Sequence, residues 1–109
     1  PMGNGEGKFV VLEPEILNQV REQVRLAIRY ADGEQGGVQD DVLPFPHNPN
    51  GADANVAGVC DASGRVFGLM PHPERHIDAT QHPSWTRRSE QPEYGDGMVM
   101  FQNAVNWFA

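Results

Sequence analysis

A short apolar run ends at Met70, and the segment after it, Pro71-His72-Pro73-Glu74, constrains the local fold more than any other part of the chain. Each proline fixes its own φ and disfavours the α region for the residue before it, so the sequence predicts extended backbone around His72. In extended backbone, alternate side chains point the same way, which would let His72 and Glu74 approach each other. An imidazole held by a carboxylate can act as a general base, although this spacing alone is a weak signal.

The size and charge of the chain limit its possible functions. With 109 residues it has room for one domain with a modest core. The net charge of −7, with only 8 Lys and Arg residues, argues against nucleic acid as a partner, because phosphate binding needs clustered positive charge. The single cysteine, Cys60, excludes an internal disulfide. Since the sequence shows no membrane-length apolar run or signal peptide, we expect no membrane partner and a cytoplasmic location.

The first third of the chain predicts a strand, a helix and a second strand. Lys8–Leu12 is a β-prone apolar run, and Pro14 suits the first position of a helix. Residues 26–30 alternate in polarity, which predicts a strand that buries Leu26, Ile28 and Tyr30. The apolar residues at helical spacing between these strands are Ile16, Leu17, Val20 and Val24.

A long connection and a hairpin follow. Residues 31–55 are rich in Gly, Asp, Pro and Asn, and they contain the turn signal Pro49-Asn50-Gly51. Val56–Cys60 and Arg65–Met70 are β-prone runs joined by Asp61-Ala62-Ser63-Gly64, which is a good hairpin connection. His72 would therefore lie just beyond the second strand of this hairpin.

The last part of the chain is irregular and then helical. Residues 76–93 show no clear period, whereas Asp96 is a suitable cap for a helix that we expect to dock by its apolar side. The residues on that side are Met98, Phe101, Ala104, Val105 and Phe108.

Several sequence motifs, taken in order, resemble one family. They are Gly5-Glu6-Gly7-Lys8-Phe9, Asn48-Pro49-Asn50-Gly51, Ala57-Gly58-Val59-Cys60-Asp61, Gly64 to Arg75, Gly95-Asp96-Gly97 and Phe101. Together they resemble the C-terminal part of a class I glutamine amidotransferase, the glutaminase of phosphoribosylformylglycinamidine synthase. The resemblance implies an α/β fold, in which residues 1–109 form the C-terminal portion of a single flavodoxin-like domain with a few strands and two helices.

The resemblance also implies an activity. The intact glutaminase would release ammonia from glutamine, with His72 as base and Glu74 as its orienter. The ammonia would pass to an ATP- and magnesium-dependent synthetase component, which makes formylglycinamidine ribonucleotide in purine biosynthesis. This chain itself would bind no cofactor and no metal. Its partners would be glutamine, the synthetase component and the N-terminal half of the same domain.

The family uses a cysteine nucleophile in a G-x-C-x-G turn that leads from a strand into a helix. Cys60 does not fit this setting, because it leads through Ser63-Gly64 into another strand, and we expect it to be a small buried hydrophobe. We therefore expect that the chain, which starts at Pro1, lacks the nucleophile half and is inactive alone. Such a piece would leave apolar sheet surface uncovered and could form a homodimer.

Other interpretations of the same residues stay open. One is an interaction module that docks on the synthetase without catalysis. Another is a metal-dependent hydrolase using His72, His76 and Glu74, since imidazole and carboxylate are suitable ligands for zinc. Trp85-Thr86-Arg87-Arg88 has a composition common at interfaces and is expected to face the synthetase. Asn4 stands where the resembling family usually has His.

Overall fold

A computed structural model describes residues 7–23, 25–34 and 40–109 of the protein. The described residues form two compact units, one ending at Met70 and the other starting at Pro71. We call residues 7–70 the sheet unit and residues 71–109 the turn unit. Predictions made for Asn4, for Gly5-Glu6, for Val24 and for residues 35–39 lie outside the described residues.

The described residues of the sheet unit form one α-helix, a short 3₁₀ turn at Asp53–Asn55 and a three-stranded antiparallel sheet. Helix α1 spans Pro14–Glu22 and begins with proline at its first turn, as predicted. The strands β1 (Leu26–Arg29), β2 (Val56–Cys60) and β3 (Phe67–Leu69) lie in the order β1-β2-β3. The bounds of β2 match the prediction, whereas β3 is shorter than the predicted run.

The connection between β2 and β3 is a hairpin, as predicted. In the register of this hairpin, Gly58 pairs with Leu69. At the turn, the Asp61 carboxylate accepts hydrogen bonds from the Ser63 hydroxyl at 2.7 Å and from the Val66 amide at 3.1 Å. Gly64 has a φ of 70°, a conformation that glycine adopts readily, so the residue types of the turn fit its backbone.

Two buried asparagines organise the long connection that precedes β2. Asn55 is fully buried and its side-chain oxygen accepts from the Leu43 amide at 2.7 Å and from the Asn48 side chain at 3.1 Å. Asn48 also donates to the Ala52 carbonyl and accepts from the Ala52 amide, both at 3.0 Å. Beside these asparagines, Tyr30, Ala52 and Ala57 form the apolar core of the unit.

The first predicted strand is wrong. Among the described residues, Lys8–Leu12 forms no strand. The Phe9 carbonyl accepts from the Asp53 amide at 3.0 Å, and the Val11 amide donates to the Asp53 carboxylate at 2.9 Å. These bonds tie the segment to a loop and a side chain instead of a strand ladder.

The predicted alternation along β1 is also wrong in part. Tyr30 is buried as expected, but Ile28 is 37% exposed. The pairing of β1 with β2 shifts register on both sides of Ile28. Such a bulge turns a side chain away from the face that strict alternation would assign to it.

The turn unit consists of three short 3₁₀ turns and one α-helix. The turns are Pro73–His76, Ala79–Gln81 and Trp85–Arg87, and helix α2 spans Met98–Phe108. Gly97 holds the N-cap position of α2, so the predicted cap at Asp96 is wrong. Apolar docking is wrong as well: no residue of α2, all of which the structure describes, is buried. The turn unit offers mainly short turns, which have little apolar surface for a helix to pack on.

None of the helices in the described part of the chain is long and apolar enough to cross a membrane.

Candidate active site

The structure brings His72 and Glu74 together. His72 Nδ1 lies 2.7 Å from Glu74 Oε1, within hydrogen-bonding distance. His72 has extended backbone, with φ −92° and ψ 97°, as predicted. Glu74 does not, because it lies in the 3₁₀ turn Pro73–His76. Proline suits the first position of a helical turn as well as extended backbone, so Pro73 starts the turn that carries Glu74 back to His72.

The charge of Glu74 fits this arrangement. The hydrogen bond with His72 holds the pKa of the Glu74 carboxyl below its ordinary value, and the carboxylate is therefore ionised at neutral pH. An ionised carboxylate only accepts hydrogen bonds, so Nδ1 of the imidazole carries the proton that is shared. In the neutral ring, Nε2 then has the free lone pair. The His72 side chain is 57% exposed, so the imidazole ring is accessible to a reacting group.

The other two histidines of the turn unit lie close to each other. The rings of His76 and His82 have centroids 5.5 Å apart, and His76 Nδ1 lies 3.8 Å from the Asp96 carboxylate. The pKa of His82 is lowered, first by desolvation and then by Arg88 and His76. Within residues 7–23, 25–34 and 40–109, no three His, Cys, Asp or Glu side chains are grouped so that they could hold a metal ion. The alternative metal site at His72, His76 and Glu74 therefore has no geometric support there.

Cys60 lies in the sheet unit, at the end of β2. Its thiol lies 3.8 Å from the Arg25 carbonyl, and the chain then turns into β3 instead of a helix. The setting of a nucleophile elbow is therefore absent around this described residue, as the sequence indicates. Cys60 is half-buried, which corrects the expectation of a fully buried side chain.

Two glycines contact the turn that carries Glu74 and the residue that follows it, and no sequence pattern predicted a role for them. The Gly97 amide donates to the His76 carbonyl and the Gly95 amide donates to the Ile77 carbonyl, both at 2.9 Å. The only sequence signal for this contact is the Gly95-Asp96-Gly97 motif directly before α2. This motif alone does not predict a contact with the turn Pro73–His76, because that contact depends on where the chain places the turn.

Comparison with known proteins identifies a family and several relatives that this chain resembles. The family described as the CobB/CobQ-like glutamine amidotransferase domain matches residues 1–108. A phosphoribosylformylglycinamidine synthase subunit PurQ from Dehalococcoides mccartyi is 40% identical over 107 residues, which are 98% of this chain and 38% of the relative. A PurQ subunit from Methanococcus maripaludis is 34% identical, over 99% of this chain and 42% of the relative.

A larger relative matches the same region. The phosphoribosylformylglycinamidine synthase of Drosophila melanogaster is 31% identical over 97% of this chain, which corresponds to 8% of that protein. This chain therefore spans less than half the length of each of these relatives. The resemblance noted in the sequence is confirmed over nearly the whole chain: the protein belongs to the family of CobB/CobQ-like glutamine amidotransferase domains.

Proposed function

We propose that the intact protein is the glutaminase of a phosphoribosylformylglycinamidine synthase and that His72 and Glu74 are two of its catalytic residues. The observation that carries the proposal is the 2.7 Å contact between His72 Nδ1 and Glu74 Oε1. This pair lies within the region that matches the amidotransferase family and the PurQ relatives. The names of those relatives supply the reaction, and the pair supplies a base and its orienter.

In the proposed reaction, His72 Nε2 takes the proton of a cysteine thiol that lies outside these 109 residues. The thiolate attacks the side-chain amide carbon of glutamine, and the imidazolium returns its proton to the departing ammonia. His72 Nε2 then deprotonates a water molecule, which attacks the thioester carbon; as the C–S bond breaks, the imidazolium protonates the departing sulfur, and glutamate and the free thiol are released. Glu74 stabilises the imidazolium at each of these steps and keeps Nε2 directed at the reacting groups.

The partner proposed for this reaction is a synthetase component that uses the ammonia, together with ATP and magnesium, to convert formylglycinamide ribonucleotide into formylglycinamidine ribonucleotide. The 109-residue chain would complete a flavodoxin-like domain with the remainder of that domain. By itself it would release no ammonia, because a base and its orienter without a nucleophile leave no covalent route. Ammonia release by this chain that disappears in His72→Ala would contradict that expectation.

The proposal is tested with the complete amidotransferase bound to its synthetase. We expect His72→Gln to lower glutaminase kcat about 1,000-fold or more, because general acid–base catalysis contributes about 100- to 10,000-fold. His47→Gln is the matched control, since none of the described hydrogen bonds or ion pairs joins His47 to His72 or Glu74, and it should retain wild-type kcat. If His72→Gln kept the same glutaminase kcat as His47→Gln, the proposed role of His72 would be refuted. A complete protein that binds the synthetase but releases no ammonia would instead be an interaction module.

We further propose that the segment Trp85-Thr86-Arg87-Arg88 contacts the synthetase. Trp85 is 42% exposed, and Arg87 and Arg88 are exposed, so an aromatic side chain and two guanidinium groups are open to a partner. The double variant Trp85→Ala with Arg88→Ala should weaken complex formation, whereas Arg65→Ala in the hairpin should not. Unchanged binding of the double variant in an analytical gel filtration or titration would refute the proposal.

A further inference from the structure

We propose that Gly95 and Gly97 are positioning residues: they seat the amino end of α2 on the backbone of the turn Pro73–His76 and thereby fix the geometry of His72 and Glu74. The inference rests on the proposed function, because the geometry of His72 and Glu74 matters for catalysis only if these two residues are the base and its orienter. It concerns a motif that the proposed reaction does not otherwise use.

Backbone hydrogen bonds connect the two glycines to the turn. The Gly97 amide donates to the carbonyl of His76, the last residue of the turn, and the Gly95 amide donates to the carbonyl of Ile77. The turn itself is closed by the Arg75 amide, which donates to the His72 carbonyl at 3.2 Å. A continuous set of backbone contacts therefore runs from the start of α2 to the residue that bears the imidazole.

The approach of the two backbones is too close for any side chain. A Cβ atom added at Gly97 would overlap the Pro73 carbonyl oxygen, and one added at Gly95 would overlap the His76 carbonyl oxygen. At Gly97 the three nearest atoms belong to backbone, and at Gly95 two backbone atoms of His76 are joined by its ring Cδ2; backbone cannot move aside as a flexible side chain could. Adding a single methyl group must therefore separate α2 from the turn.

Gly97 is not needed for its conformation. Its φ of −65° and ψ of −22° lie in the right-handed helical region, which every residue adopts. Glycine is required at position 97 because it has no side chain, and this lets the backbone of the turn come close. This distinguishes Gly97 from Gly64 of the hairpin, whose φ is 70° and whose added Cβ would meet nothing within 4 Å.

The pair depends on this backbone support because its side chains have little packing. His72 and Glu74 are 57% and 54% exposed, so apolar neighbours do not enclose them. Their relative placement follows from the turn that joins them and from the contacts that hold that turn. Displacing the turn by about 1 Å would be enough to lower the rate about 100-fold.

The test uses Gly97→Ala with Gly33→Ala as the matched control, since a Cβ at Gly33 would meet nothing within 4 Å. In the complete amidotransferase, we expect glutaminase kcat to fall about 100-fold for Gly97→Ala and to stay unchanged for Gly33→Ala. In the 109-residue chain, the imidazole ¹⁵N shifts should show loss of the Nδ1–H form of His72 in Gly97→Ala only. Wild-type kcat and a wild-type His72 spectrum in Gly97→Ala would overturn the inference.

Amide hydrogen exchange in the wild-type chain is a second test, and it does not depend on whether Gly97→Ala folds. The Gly95 and Gly97 amides should exchange more slowly than the amide of exposed Glu90, and exchange as fast as Glu90 would overturn the inference. Failure of the proposed function can be told apart from failure of the positioning role. If the proposed function is wrong, the wild-type amidotransferase releases no ammonia. The His72 spectra and the amide exchange rates test the positioning role whether or not ammonia is released.

Discussion

The sheet unit and the turn unit are stabilised in different ways. Among the residues that the structure describes, most of the buried hydrophobic side chains lie in the sheet unit, including Tyr30 and Val56, and this unit also buries the hydrogen-bonded Asn48 and Asn55. In the turn unit, all of whose residues the structure describes, Ala79 is the only buried hydrophobic side chain. That unit relies on backbone hydrogen bonds, on turn side chains and on close backbone contact at two glycines.

This difference separates the stable part of the chain from the part that carries the proposed catalytic pair. Regions with few buried apolar contacts open locally at low cost, whereas packed cores open only with the whole unit. The proposed catalytic pair lies in the region with little core. Its geometry must then come from local backbone contacts, which makes that geometry sensitive to single turn and glycine positions.

The largest expected effect is on the sheet unit. Asn55→Ala removes the acceptor of the Leu43 amide and of the Asn48 side chain, and it places alanine at a φ of 57°. Buried groups without partners are costly, so we expect a loss of about 3 kcal/mol in the free energy of unfolding. Denaturant titration of this chain followed by circular dichroism measures the change.

The matched control for this prediction is Asn103→Ala on exposed helix α2. It should change the free energy of unfolding by less than about 0.5 kcal/mol, because exposed positions rarely matter more. Equal losses for the two asparagine variants would contradict the contrast between the units.

A smaller and local effect is expected in the turn unit. The Gln81 side-chain oxygen accepts from the Ile77 amide at 2.8 Å and from the Asp78 amide at 3.0 Å. Gln81→Ala should therefore cost about 1 kcal/mol locally, as removal of a cap does. Hydrogen exchange should show faster exchange at these two amides and unchanged exchange in β2. Faster exchange throughout the sheet unit would mean that the two units do not open independently.

The smallest effect is a pH dependence of the hairpin. Hydrogen bonds from the Ser63 hydroxyl, and then from backbone amides including that of Val66, lower the pKa of Asp61 from 3.8 to about 2. A lowered carboxyl pKa gives stabilisation that is complete above pH 3.8 and is lost as the pH falls through about 2. The Val66 amide shift should therefore titrate with a midpoint near 2. Ser63→Ala should move the midpoint upward, and a wild-type midpoint near 3.8 would contradict the hydrogen-bonded turn.

The sequence predicted the sheet unit best where local signals agreed. Val56–Cys60 is β-prone and is followed by a turn motif, so β2 and its hairpin could be predicted. Lys8–Leu12 is also a β-prone apolar run, but whether such a run becomes a strand depends on a partner backbone that composition does not specify. The register shifts at Ile28 were likewise not predictable, because they arise from pairing with β2.

In the turn unit, the spacing of His72 and Glu74 predicted their contact but not the backbone conformation of Glu74. Pro73 is compatible with both extended and helical geometry, and the structure uses the helical one. The helical period predicted α2, but a period identifies an apolar side without showing what covers it. The role proposed for Gly97 could not be predicted, because its contact is with a turn much earlier in the chain.

The most direct test of the central proposal is the tautomer of His72 in this chain, measured from its imidazole ¹⁵N shifts above neutral pH. If Glu74 orients the ring, the Nδ1–H form predominates in the wild-type chain and in Glu90→Ala, and Glu74→Ala shifts the ring toward Nε2–H. A wild-type ring that is already protonated at Nε2, with no change in Glu74→Ala, would contradict the proposal that these two residues form a base and its orienter.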